Sequence, residues 1–151
     1  MKGRITKLGA VALAGAIGFA TIAAADPITD RREVMKANGA AMKAISEILK
    51  ANGSAADMAP HAAKLTEDAG KLAPLFPAGS DQPQGKDPGQ TMAKAEIWQN
   101  PDDFAAKLKA FGDEAAMLNT AVAGGDMAAI SAEFEKVGGT CGGCHKVYRA
   151  K

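Results

Sequence analysis

Seven residues near the C-terminus, Met127, Ile130, Phe134, Val137, Cys141, Cys144 and Tyr148, recur at steps of three and four. That spacing gathers them on one face of an α-helix and would scatter them over both faces of a strand. It therefore commits the stretch to an amphipathic helix packed against something else. Both cysteines of the chain lie on this stripe, within Cys141-Gly142-Gly143-Cys144-His145. C-x-x-C-H is the signature for covalent attachment of a c-type haem. Thiols three apart on a helix face the same way, so both reach the vinyl groups of one porphyrin. The following histidine offers an imidazole nitrogen to the iron as proximal ligand. Gly142 and Gly143 put no side chain in the way of the macrocycle. A thioredoxin-like redox pair would want βαβ surroundings, which the sequence lacks. A zinc site would want more ligands than two cysteines and His61, the other histidine.

Three further stretches carry the same period. The first runs from about Ile28 to Ala51, with Met35, Asn38, Met42, Ile45 and Leu49 on one stripe and Ile28 a heptad upstream. Pro27 suits its start and Asn52-Gly53 its stop. The second runs from about Ser54, a capping residue, to Leu72, with Ala62, Leu65, Ala69 and Leu72 inward. Pro60 lies in its first two turns and argues for a later start. The third opens on Asn100 as N-cap, Pro101 at the first helical position, and Asp102 and Asp103 at the positive dipole end. Phe104, Leu108, Phe111, Ala115, Leu118 and Val122 form its stripe, and Gly124-Gly125 ends it. The fourth starts at Asp126 and carries the haem motif. Residues 73–100 are different: Pro74, Pro77, Pro83 and Pro88 alternate with Gly79, Gly85 and Gly89. They predict a long ordered loop with one helical turn near Met92–Trp98, and loops of this length are often functional. Aromatic residues make up only 5% of the chain and alanine is abundant, which favours helix over strand.

Four helices with one apolar stripe each predict an all-α fold, an antiparallel up-down-up-down four-helix bundle. In that order the end of the last helix lies level with the start of the first. His145 and Met35 each fall about 10 Å from the same end of the bundle, at 1.5 Å per residue. A haem held by Cys141, Cys144 and His145 would then sit at that end with its other face near Met35. Met35 either supplies the sixth ligand, as suits electron transfer, or only covers an open iron. Met92, in the loop that ends there, is the other methionine within range.

The first 25 residues read as a cleaved secretory signal: Lys2, Arg4 and Lys7, then an apolar run from Leu8 to Ala20, then Ala23-Ala24-Ala25. The run is short for a membrane span of about 20 residues, so no membrane association is expected after cleavage. Residues 26–151 remain as one domain, 151 − 25 = 126 residues, enough for its own core. Three of the 18 basic residues and none of the 17 acidic ones lie in the signal, which leaves 15 − 17 = −2. That balance speaks against nucleic acid. Export to the periplasm fits covalent haem attachment, which bacteria carry out beyond the cytoplasm.

These features converge on a family. Gly138-Gly139-Thr140-Cys-Gly-Gly-Cys-His-Lys-Val-Tyr148-Arg149 resembles the C-terminus of cytochromes c′ and their low-spin relatives, the cytochromes c-556. Leu75-Phe76-Pro77-Ala78-Gly79, Ile97-Trp98 with Asp103-Phe104, and Arg31-Arg32-Glu33-Val34-Met35-Lys36-Ala37-Asn38-Gly39 are similar to family segments. The resemblance covers essentially all of residues 26–151. It implies one covalent haem c, Arg31 near a haem propionate, Arg149 packed near the haem, and Thr91 at the haem edge. It also implies two subgroups. Low-spin members place methionine on the iron, as Met35 would be placed. High-spin members leave the iron five-coordinate and bind NO or CO, some of them with an unligated methionine at this position. The expected function is a periplasmic carrier of single electrons, with a gas-binding cytochrome c′ as the alternative and no enzymatic site visible. Lys36, Lys146, Arg149 and Lys151 would steer an acidic redox partner. Relatives often dimerise through the first two helices, where Ala40, Ala41, Ala44 and Ala51 would permit close contact in a homodimer.

Overall fold

The computed structural model describes residues 26–151. The expected signal segment, residues 1–25, lies outside the described residues. Four long helices form the bundle: α1 (Pro27–Lys50), α2 (Ala55–Leu72), α4 (Pro101–Gly124) and α5 (Met127–Tyr148). A single 3₁₀ turn at Ala73–Leu75 and a one-turn helix, α3 (Glu96–Gln99), punctuate the long connection between α2 and α4. The helical turn expected near Met92–Trp98 is α3, displaced to the end of that window.

Local chemistry sets the helix ends. Asp26 caps α1 through its carboxylate, which accepts from Ile28 N at 3.1 Å. Ser54 and Asp57 form a reciprocal capping box at α2. Pro60 does not delay α2, which starts at Ala55. The donor it lacks would have reached Ala56, and both residues are exposed, so water serves the carbonyl. Asn100 stands at the expected N-cap of α4, yet its side chain does not cap: Nδ2 donates back to Glu96 O at 3.0 Å, closing α3 instead. Asp126 caps α5 through bonds from Ala128 N and Ala129 N. Gly125, at φ 77°, makes the left-handed turn between α4 and α5 that a side chain would resist.

The helices pack in sequence, α1 on α2, α2 on α4, α4 on α5, while α1 and α5 touch little. Ile45, Met58, Leu65, Leu118, Ile130 and Val137 fill the core. Each such aliphatic side chain contributes about 1.5–3 kcal/mol on burial. A second apolar cluster, Ala93, Ile97, Phe104 and Tyr148, sits at the open end of the bundle beneath the long loop. The loosely joined pair, α1 and α5, frames the functional end.

Candidate functional site

A cavity of about 840 Å³ opens between the start of α1, the end of α5 and the long loop. α1 contributes Arg31 and Met35, the loop Thr91 and Met92, and α5 Cys144, His145, Tyr148 and Arg149. Ile97 and Phe104 supply apolar wall. The ring of Phe104 meets Phe76 edge-on at 4.8 Å and Tyr148 at 5.3 Å. Six of the seven residues singled out in the sequence line this one cavity: Arg31, Met35, Thr91, Cys144, His145 and Arg149. Cys141, the seventh, packs against the bundle core one helical turn away.

Met35 on α1 and His145 on α5 line the same cavity. A Cβ built on Gly138 would lie 3.9 Å from Met42 Cε, so α1 and α5 approach each other there across their seam. In antiparallel helices, 42 − 35 = 7 residues back on α1 matches 145 − 138 = 7 residues forward on α5. Met92 lines the same cavity from the loop. Its carbonyl accepts from Ala150 N at 2.8 Å, and Ala93 bridges Arg149, which ties it to the segment after His145.

Both cysteines are free thiols. Burial pushes each thiol above its ordinary pKa, and nearby Lys107 partly offsets this at Cys144. Protein atoms crowding one side of His145, and the neighbouring Arg149 charge, pull its imidazole below the ordinary value. The ring is therefore neutral near pH 7, with a lone pair free for a metal.

Arg31 is 3% exposed. Its Nη1 donates to Leu75 O and Ser80 Oγ, and its Nη2 to Ser80 O and Thr91 Oγ1. The guanidinium also lies 5.0 Å over the Phe76 ring. Both terminal nitrogens are thus spent on the protein. Arg32, which sequence reasoning passed over, gathers three loop carbonyls, those of Lys86, Asp87 and Gln90. No period announces it, since its partners are backbone groups. Tyr148 donates to Asp103 Oδ2, a link that spacing alone does not announce. Trp98 is not on the cavity. It faces an outer groove, and its indole donates to Phe76 O at 3.2 Å.

The site fits a covalently held haem. Thiols three apart sit beside an apolar cavity with a neutral imidazole on its lining, and its volume lies within the 300–1,000 Å³ typical of ligand sites. Cβ atoms at Gly142 or Gly143 would meet no protein atom within 4 Å. Packing within the chain therefore does not require glycine there, although each costs the helix about 0.5–1 kcal/mol.

A family model described as cytochrome c′ matches residues 26–149. Among relatives, a cytochrome c′ of Rhodospirillum rubrum is 35% identical over 145 residues, covering 93% of this chain and 95% of its own. A cytochrome c-554 of Cereibacter sphaeroides is 38% identical over 91 residues, 60% of this chain, and the match spans 57% of that protein's length. Among solved structures, the nitric oxide complex of a cytochrome c′ variant from Alcaligenes xylosoxidans superposes with a TM-score of 0.73 at 25% identity, covering 83% of this chain and 94% of that one.

Proposed function

The chain belongs to the cytochrome c′ family, whose cofactor is covalently attached haem c, and from that premise we propose that it carries single electrons in the periplasm with His145 and Met35 as axial ligands. The observation that carries this reading is that Met35 from α1 and His145 from α5 line one cavity. Bound haem c supplies a one-electron iron couple. The residues of this chain do the rest. Cys141 and Cys144 anchor, one thioether each. His145 presents a neutral ring nitrogen. Met35 would present a soft thioether, which on the iron would favour the ferrous state and exclude outside ligands. The Phe76–Phe104–Tyr148 aromatic run keeps water from one wall. Arg31, Thr91 and Arg149 complete the edge. Lys36 and Arg149 on the lining, with exposed Lys146 and Lys151 in the same terminal region, favour approach of an acidic partner.

The comparisons lean toward a second reading, because the matching family model and the Rhodospirillum rubrum relative are both cytochrome c′. The similar Alcaligenes cytochrome c′ variant was solved as a nitric oxide complex, and the family resemblance implies that members with an unligated distal residue take up such gases. In that reading Met35 covers the iron without bonding it. The ferrous optical spectrum before and after CO separates the two. A sharp low-spin spectrum that CO leaves unchanged supports the carrier. A broad high-spin spectrum that CO shifts gives the gas-binding protein.

A further inference from the structure

The long loop, which runs from α2 to α4 in the chain, bridges α1 and α5 across the cavity through hydrogen bonds. α1 and α5 make few direct contacts, and the cavity separates the start of one from the end of the other. A chain of hydrogen bonds spans the gap. On the α1 side Arg31 holds Ser80 and Thr91, and Ser80 Oγ donates on to Pro77 O at 2.8 Å. On the α5 side Lys94 N donates to Tyr148 O at 3.0 Å and Ala150 N to Met92 O at 2.8 Å. Thr91 stands between the two: its hydroxyl accepts from Arg31 and from Ala93 N, the latter at 3.0 Å. Thr91 is 2% exposed, and burial in a low dielectric stiffens such bonds.

We propose that Arg31 and Thr91 are positioning residues for the iron's sixth coordination site, fixing the distance between the α1 wall that carries Met35 and the α5 wall that carries His145. The proposal rests on the reading of Met35 as distal ligand. Arg31 lies four residues before Met35 on α1, so whatever fixes its guanidinium fixes the turn that aims the thioether. The backbones of α1 and α5 come close at few points, so at the cavity end the strap through Ser80, Thr91 and Lys94 sets their separation. A site held by such supports fails functionally when displaced by about 1 Å. Loosening the strap therefore converts a closed sixth position into an open one while the bundle core stays packed.

The test uses the holoprotein. Thr91→Val removes the hydroxyl at nearly constant shape, and Thr91→Ser restores it. Helix content, the ferrous spectrum, the CO association rate and amide exchange over residues 84–94 are measured together. The expected result for Thr91→Val is unchanged helix content, faster loop exchange, a high-spin component and CO association faster by about tenfold or more, in proportion to the open population. Thr91→Ser returns these to parent values. A low-spin parent whose valine variant is equally low-spin and CO-inert overturns the proposal and leaves the Met35 reading standing. A parent that is already high-spin overturns the Met35 reading and the proposal with it. Should Thr91→Val not fold, Ser80→Ala on the α1 arm is read in the same way, with faster CO association expected and no change contradicting.

Discussion

Tyr148 donates a 2.6 Å hydrogen bond to Asp103 Oδ2, joining the last turn of α5 to the first turn of α4 at the wall of the haem cavity. The phenol is buried, with its ring edge-on to Phe104. Loss of its proton would set a phenolate against a carboxylate.

The hydrogen bond to Asp103, aided by burial, pushes the Tyr148 pKa up to about 12, from 10.0. A folded-state value above the unfolded one means the neutral form is favoured by folding. This contribution is fully present below pH 10 and is lost as pH rises toward 12. Stability to denaturant should therefore fall across that window, and Tyr148→Phe should flatten the decline. Tyr148 is the chain's single tyrosine, so its ultraviolet Raman titration reads this group alone. A midpoint at the ordinary value of 10.0 would contradict the linkage.

Covalent attachment is expected through both thiols. Replacing Cys141 and Cys144 together with alanine should abolish haem staining of the denatured band on a gel, while each single variant keeps one thioether and still stains. Persistent staining of the double variant would remove these residues from the attachment site.

The bundle core is continuous through Leu65, which is fully buried on α2 against α4. Leu65→Ala should cost about 2–5 kcal/mol in denaturant unfolding, the transfer and cavity terms together. A loss below about 0.5 kcal/mol, typical of surface sites, would contradict the packing.

Much of this was legible in the sequence because a helix repeats. The stripes through Ile45, Leu65, Leu118 and Val137 gave four helices whose ends fall within a residue or two of those observed. Their lengths alone predict Met35 and His145 at the same end of the bundle, where both line the cavity. Arg31 escaped the stripe although it sits three residues after Ile28 and four before Met35, because a charged residue is not counted inward. Here four hydrogen bonds satisfy it in the interior. The loop was legible only as a loop. Its order comes from Arg31 and Arg32 gripping backbone carbonyls and from residues 92–94 pairing with 148–150. Such side-chain-to-backbone bonds between distant segments leave no period to read. Asn100 shows the same limit at short range: the residue type fitted a cap, and the competing acceptor four residues earlier took its side chain.

In the proposed carrier, Met35 sulfur occupies the iron's sixth position opposite His145. Carbon-13 labelling of the methionine methyls, read by NMR in the ferrous protein, tests it most directly. A methyl bonded through sulfur to the iron sits over the macrocycle and is shifted far upfield. The account predicts one such resonance, absent in Met35→Leu and retained in Met92→Leu. A ferrous spectrum in which every methionine methyl lies in its ordinary range would contradict it.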